Sequence, residues 1–305
     1  MIGLCCHYIV PNNKASGFTN ILNEKTLQLK GLSAGKYSDE QILATYLNNI
    51  KGVSDLLTRA HSEGIRLYRM SSGLMPLWDL VNPNIKNDPK VLTALKKVGD
   101  FVLSKGMRMS CHPDQFVVLS SDNPNVIQNS IKMLEMHAWI FDQMGLPDTT
   151  YYAINIHGGK RGNDHVLIDS IGKLPSNIRN RLTLENDESS YSVKKLCAVS
   201  SAVGVPVVYD SHHHSFNEDG LSSEDAMESA IATWKVRPLT HLSNTTPGME
   251  NGSFRERRKH SDYVHYIPEH QRVANNSDRI DIEAEFKMKN LAIFKAIKDF
   301  DLRLA

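Results

Sequence analysis

The chain has 305 residues, 41 % hydrophobic and 23 % charged, an ordinary globular composition with apolar material for a large core. Its formal net charge is +1, so no global positive field marks a nucleic-acid partner, and DNA would have to be met by a local basic rim. The N-terminal MIGLCCHYIV has no basic signal-peptide region, and no run approaches the ~18 apolar residues of a membrane span.

In chain order, short β-type runs alternate with helix-length segments. IGLCC (2–6) comes first, then a segment over 38–64 with Ser38 as N-cap and Gly64 at its end. IRLYRMSS (65–72) is followed by a helical pattern over 88–106, and MRMSCHP (107–113) by one over 123–145 with Pro124 in its first turn. YYAINIHGG (151–159), RLTLEND (181–187), VPVVYDSHH (205–213), PLTHLSN (238–244) and RIDIEAE (279–285) complete eight runs. Helical spacing recurs over 191–204, 223–234 and 285–300. Eight strand–helix repeats predict a single-domain (β/α)₈ TIM barrel spanning 1–305. A doubly wound sheet is the alternative, but no GxGxxG follows the first run. Cys5, Cys6, Cys111 and Cys197 form no CxxC pair and read as reduced core thiols of a cytoplasmic protein.

The strands of a parallel barrel have apolar interiors, and their C-terminal ends converge on one mouth. Six successive runs here finish in a residue that can bind a metal. They are His112, His157, Glu185, Asp210 with His213 just beyond, His241 and Glu283. A single such residue is most simply a capped or solvated strand end. Six in order would bury carboxylates and imidazoles together, at a cost that cations relieve. Imidazole and carboxylate without cysteine suit Mn²⁺, Mg²⁺, Co²⁺ or Zn²⁺, and the number of donors suits two or three ions. Clustered divalent ions suit in-line displacement at phosphorus.

SCHPDQFV (110–117), INIHGG (154–159), LTLENDE (182–188), YDSHHHSFN (209–217), RPLTHLSN (237–244), HSDYV (260–264) and IEAEFK (282–287) together resemble the UV damage endonucleases. The wider relatives of that family are the endonuclease IV and xylose isomerase-like barrels. The resemblance implies a metal-dependent, DNA-repair endonuclease acting on double-stranded DNA as a monomer. It would cut immediately 5′ of a pyrimidine dimer or similar lesion and leave a 3′-hydroxyl and a 5′-phosphate. It also implies the ligand set His112, His157, Glu185, Asp210, His213, His241, His260 and Glu283. Glu185 and Glu283 would be bridging carboxylates, and His241 and His260 would hold a third metal on the leaving-group side. Gln115-Phe116 stands where the family has a Gln-Tyr wedge, although Phe116 taken alone reads more simply as a core aromatic. Leu239 replaces a family lysine two residues before the strand-seven histidine, so a basic role near the metals would pass to Lys160 or to water. Tyr8 is the nearest tyrosine to the family's strand-one tyrosine and is an expected lesion contact.

KRGND (160–164) and SFRERRKH (253–260) place Lys160, Arg255, Arg257, Arg258 and Lys259 where they could meet phosphates, or form a solvated basic loop. Two rivals remain at this point. One is a sugar isomerase on the same barrel, which predicts no basic rim. The other is a damage-binding protein that has lost cutting, as Leu239 suggests.

Overall fold

The computed structural model describes residues 1–13 and 17–304. Strand β1 (Ile2–Cys5) is followed by a small antiparallel hairpin, β2 (Ile9–Pro11) and β3 (Phe18–Asn20), which the sequence pattern did not announce. Seven more strands follow: β4 (Leu67–Met70), β5 (Arg108–Cys111), β6 (Ile154–His157), β7 (Leu182–Glu185), β8 (Val207–Asp210), β9 (Leu239–Leu242) and β10 (Asp281–Ala284). With β1 they close a parallel barrel in the order β1-β10-β9-β8-β7-β6-β5-β4. This is the (β/α)₈ barrel that the strand–helix alternation predicts.

Both faces of these strands are covered, by the barrel interior on one side and by helices on the other. That double burial covers polar and apolar strand residues alike: β6 (INIH), β7 (LTLE) and β10 (DIEA) alternate in sequence, yet nearly every one of their residues is buried. Capping side chains open several of the helices. Ser38 and Gln41 exchange bonds with each other's backbone N–H groups to open the helix Asp39–Ser62. Asn123 caps Pro124–Met144, and Gly145 closes it with φ +72.

Two runs differ from their expected bounds. The run expected over 205–213 stays extended only to Asp210. Asp210 then caps a one-turn helix, Ser211–His214, with its Oδ1 accepting from the His213 N–H at 2.7 Å. The run at 151–159 is preceded by a 3₁₀ turn at Thr150–Tyr152, and β6 begins at Ile154.

The barrel floor is apolar: Met1, Leu67, Ala153 and Leu239 pack together there. Leu239 therefore sits in the floor, below His241 on the same strand. Beside this layer Arg108 is fully buried, with Nη1 2.7 Å from Asp281 Oδ2 and Nε donating to the Tyr151 carbonyl at 3.1 Å. Among the described residues no helix is long and apolar enough to cross a membrane.

Candidate metal centre at the barrel mouth

Register places ligand types side by side. His157 on β6 pairs with Glu185 on β7, Asp210 on β8 with His241 on β9, and His241 with Glu283 on β10. His112 follows β5 directly, and Glu285 follows β10. Two groups result, in each of which the donor atoms lie within 4.8 Å of one another. One is His112, His157 and Glu185; the other is Glu185, Asp210, His241 and Glu285. Glu185 belongs to both, as a bridging carboxylate would.

The distances are short throughout. His112 Nε2 is 3.0 Å from Glu185 Oε2, and His213 Nδ1 is 3.3 Å from Glu185 Oε1. His241 Nδ1 lies 3.1 Å from Glu185 Oε1 and 3.0 Å from Glu285 Oε1, while its Nε2 lies 3.0 Å from Glu283 Oε2. His260, half-buried, brings Nδ1 to 3.7 Å from Glu285 Oε2.

Surrounding groups fix these donors. Asn155 donates to Glu185 Oε2 and is itself held by Thr183 at 2.8 Å. Asn186 clamps Asp210 through both backbone groups, at 2.8 Å and 3.0 Å. The Nδ1 atoms of His112 and His213 lie 2.9 Å and 3.0 Å from the carbonyls of Pro113 and Asn186, which leaves each Nε2 as the available donor. The two glycines after His157 are sterically required. A Cβ on Gly158 would meet the Tyr191 ring at 2.4 Å, and Gly159 has φ +88.

Burial alone would raise the Glu185 carboxyl. His241, His157 and the contacts from His112 and His213 outweigh it and hold the group well below its usual range. Burial would likewise lower His213 and His241, but Asp210 and Glu185 around the first, and Glu185, Glu283 and Glu285 around the second, raise both well above normal. His157 is different: burial lowers it. The site thus concentrates negative charge that imidazolium protons only partly offset.

His157 Nδ1, Asp210 Oδ2, Glu283 Oε2 and both ring nitrogens of His241 are buried without an aligned hydrogen-bond partner. For His241 this holds although carboxylate oxygens lie about 3 Å from both ring nitrogens, Glu185 and Glu285 on the Nδ1 side and Glu283 on the Nε2 side. Such a donor set fits divalent cations.

The site floors an open cleft of 1110 Å³ lined on one side by Gln115 and Phe116 and on the other by Arg258 and His260. A family model described as UV-endonuclease UvdE matches residues 4–303. The chain belongs to that family. A UV DNA damage endonuclease of Nostoc sp. is 36 % identical over 295 residues, covering 91 % of this chain and 87 % of the relative. The crystal structure of SacUVDE superposes with a TM-score of 0.80 at 28 % identity, covering 99 % of each chain. A D-psicose 3-epimerase from Clostridium cellulolyticum shares the barrel fold alone, with a TM-score of 0.51 at 11 % identity over 76 % of this chain and 78 % of that one.

Within this UvdE-family barrel the expected site residues separate into three sets. His112, His157, Glu185, Asp210, His213 and His241 converge, with His260 at their edge. Glu283 lies beneath them, its Oε1 accepting from Ser110 and its Oε2 facing His241. At the rim, Phe116 is 79 % exposed, so the reading of it as a core aromatic is excluded. Arg258 lines the cleft and pairs with Glu188, and Arg255 and Lys259 are exposed on the same loop. Arg257 instead stacks over Phe216 at 5.1 Å.

Two expectations need correction. Tyr8 is 1 % exposed and its hydroxyl donates to Glu63, so it is a core residue that does not face the cleft. The Lys160 ammonium pairs with Asp122 on the rim, away from the metal-type donors. Three residues escaped sequence reasoning: Glu285, Arg69 and Glu188. Glu285 shares the period-two face of Glu283, the one signal that could have found it.

Proposed function

We propose that this chain is a UV-damage repair endonuclease that hydrolyses the phosphodiester immediately 5′ of a UV photoproduct in double-stranded DNA, leaving a 3′-hydroxyl and a 5′-phosphate. The observation that carries the reading is Glu185, shared by two donor groups at the base of an open cleft. Two or three divalent ions, Mn²⁺ first among them, would supply Lewis-acid stabilisation of the phosphate and a more acidic water.

The chain's own residues divide the remaining work. Glu185 joins the two donor groups, and Asn155 fixes its orientation. His241 and His260 stand on the Glu285 side, His112 and His157 on the other. Asp210 and His213 close the arc between them, with Asn186 holding both. Gln115 and the exposed Phe116 face the cleft, where a ring can fill the gap left by an extruded lesion. Lys160, Arg258 and their neighbours offer phosphate contacts around the rim.

Nicking of irradiated against untreated supercoiled plasmid, in Mn²⁺ and in EDTA, tests the reading. Irradiated plasmid should relax in Mn²⁺ alone. Closed circles in every divalent metal tested would defeat it, and retained binding in that case would identify a damage-binding protein.

A further inference from the structure

Arg69 is placed at the mouth in a way that cation binding does not account for. β4 carries its side chain into the cleft, where it is 12 % exposed. Nη1 pairs with Glu285 Oε1 and lies 3.6 Å from Glu283 Oε2. Nε is buried and has no hydrogen-bond acceptor. A guanidinium does not shed its charge, so beside carboxylates that gather cations it repels every ion that binds there. A residue kept for ion binding would be neutral or acidic at this position. Glu285 is also claimed twice, by Arg69 and by the donor group it forms with Glu185, Asp210 and His241. A cleft-lining guanidinium whose partner is also drawn elsewhere suits an anion with several acceptor oxygens.

We propose that Arg69 is a phosphate-binding residue of the site. Glu285 keeps its guanidinium at the mouth in the free protein, and a non-bridging oxygen of the scissile phosphate accepts from it when DNA enters. This rests on the nuclease reading above. There the negative charge that grows on those oxygens during displacement would face a fixed cation.

The test is a cycle of binding measurements in EDTA, where cutting does not intrude. The probe is a duplex with one thymine dimer, carrying either a native or an uncharged methylphosphonate linkage immediately 5′ of it. The methylphosphonate should weaken wild-type binding about tenfold, the scale of a lost charge-assisted bond. Arg69→Met should bind the native duplex about tenfold more weakly and lose nothing further with the methylphosphonate. Its salt dependence should be shallower by about 0.9 in slope, one phosphate contact fewer. Mn²⁺ binding by calorimetry should keep its stoichiometry. Additive losses, native binding as tight as wild type, or loss of Mn²⁺ sites together with affinity would each overturn the proposal. Should Arg69→Met not fold, Arg69→Lys carries the same cycle: partial loss with partial coupling supports the contact, and full additivity overturns it. Failure of wild-type protein to nick dimer-containing DNA in Mn²⁺ would sink the nuclease reading instead, and is read in a separate arm.

Discussion

Glu185 sits in both donor groups, so a change of one atom there separates ion binding from folding. Glu185→Gln keeps shape and removes charge. It should lose bound Mn²⁺ and cut more slowly by well over the ~10–100-fold that an outer partner's removal costs. A near-normal rate would show that Glu185 is not a shared ligand. Asn155→Ala, which removes the donor orienting Glu185, belongs within that ~10–100-fold range of metal affinity by calorimetry. Phe116→Ala should narrow the gap between irradiated and untreated DNA by about 1–3 kcal/mol, the worth of one stacked base, with Mn²⁺ affinity unchanged. An undiminished preference would remove the ring from the lesion site. Residue types at strand ends were readable because a buried imidazole or carboxylate stands out against apolar sequence. Which carboxylate joins the donor group was not: positions 283 and 285 share one face, and only the folded barrel brings Glu285 together with Glu185, Asp210 and His241. Tyr8 was misplaced for a related reason, since the fate of a side chain after β1 depends on the distant Glu63.

Among elements, the alternation of short β-type runs with helix-length segments was legible for all eight barrel strands, because the longer helices carry apolar residues at three- and four-residue spacing between them. The hairpin β2–β3 left no such trace: its strands have three residues each and are largely exposed. The one-turn helix at Ser211–His214 was hidden by its continuity with β8, although Asp210 followed by a polar run is a capping pattern. Two substitutions at this scale should part stability from function. Ser38→Ala removes a capping box far from the mouth and should cost about 1 kcal/mol in denaturant melts with unchanged nicking. Gly159→Ala forces a Cβ within 2.8 Å of Val118 Cγ1 at φ +88. It should cost about 1–3 kcal/mol and also slow nicking, because the strained turn carries His157 and Lys160. Equal nicking by both variants would detach that turn from the site.

For the molecule as a whole, the barrel is organised from a closed floor to a charged mouth. Leu239 belongs to the floor, packed with Met1, Leu67 and Ala153, so its strand offers the mouth His241 and no basic group below it. Beside the floor, Arg108 and Asp281 form a fully buried pair. Arg108→Met removes the partner of Asp281 Oδ2 while the Met1 ammonium and Arg237 still hold Oδ1, and should destabilise the fold by about 1–3 kcal/mol while the folded fraction cuts at the wild-type rate. A mouth that gathers carboxylates and imidazoles around Glu185 is the centre of the account, and diffraction at the manganese edge addresses it most directly. Crystals soaked in Mn²⁺ should show at least two anomalous peaks at the mouth, both within coordination distance of Glu185. A protein that nicks irradiated DNA in Mn²⁺ but shows no peak beside Glu185 would contradict it.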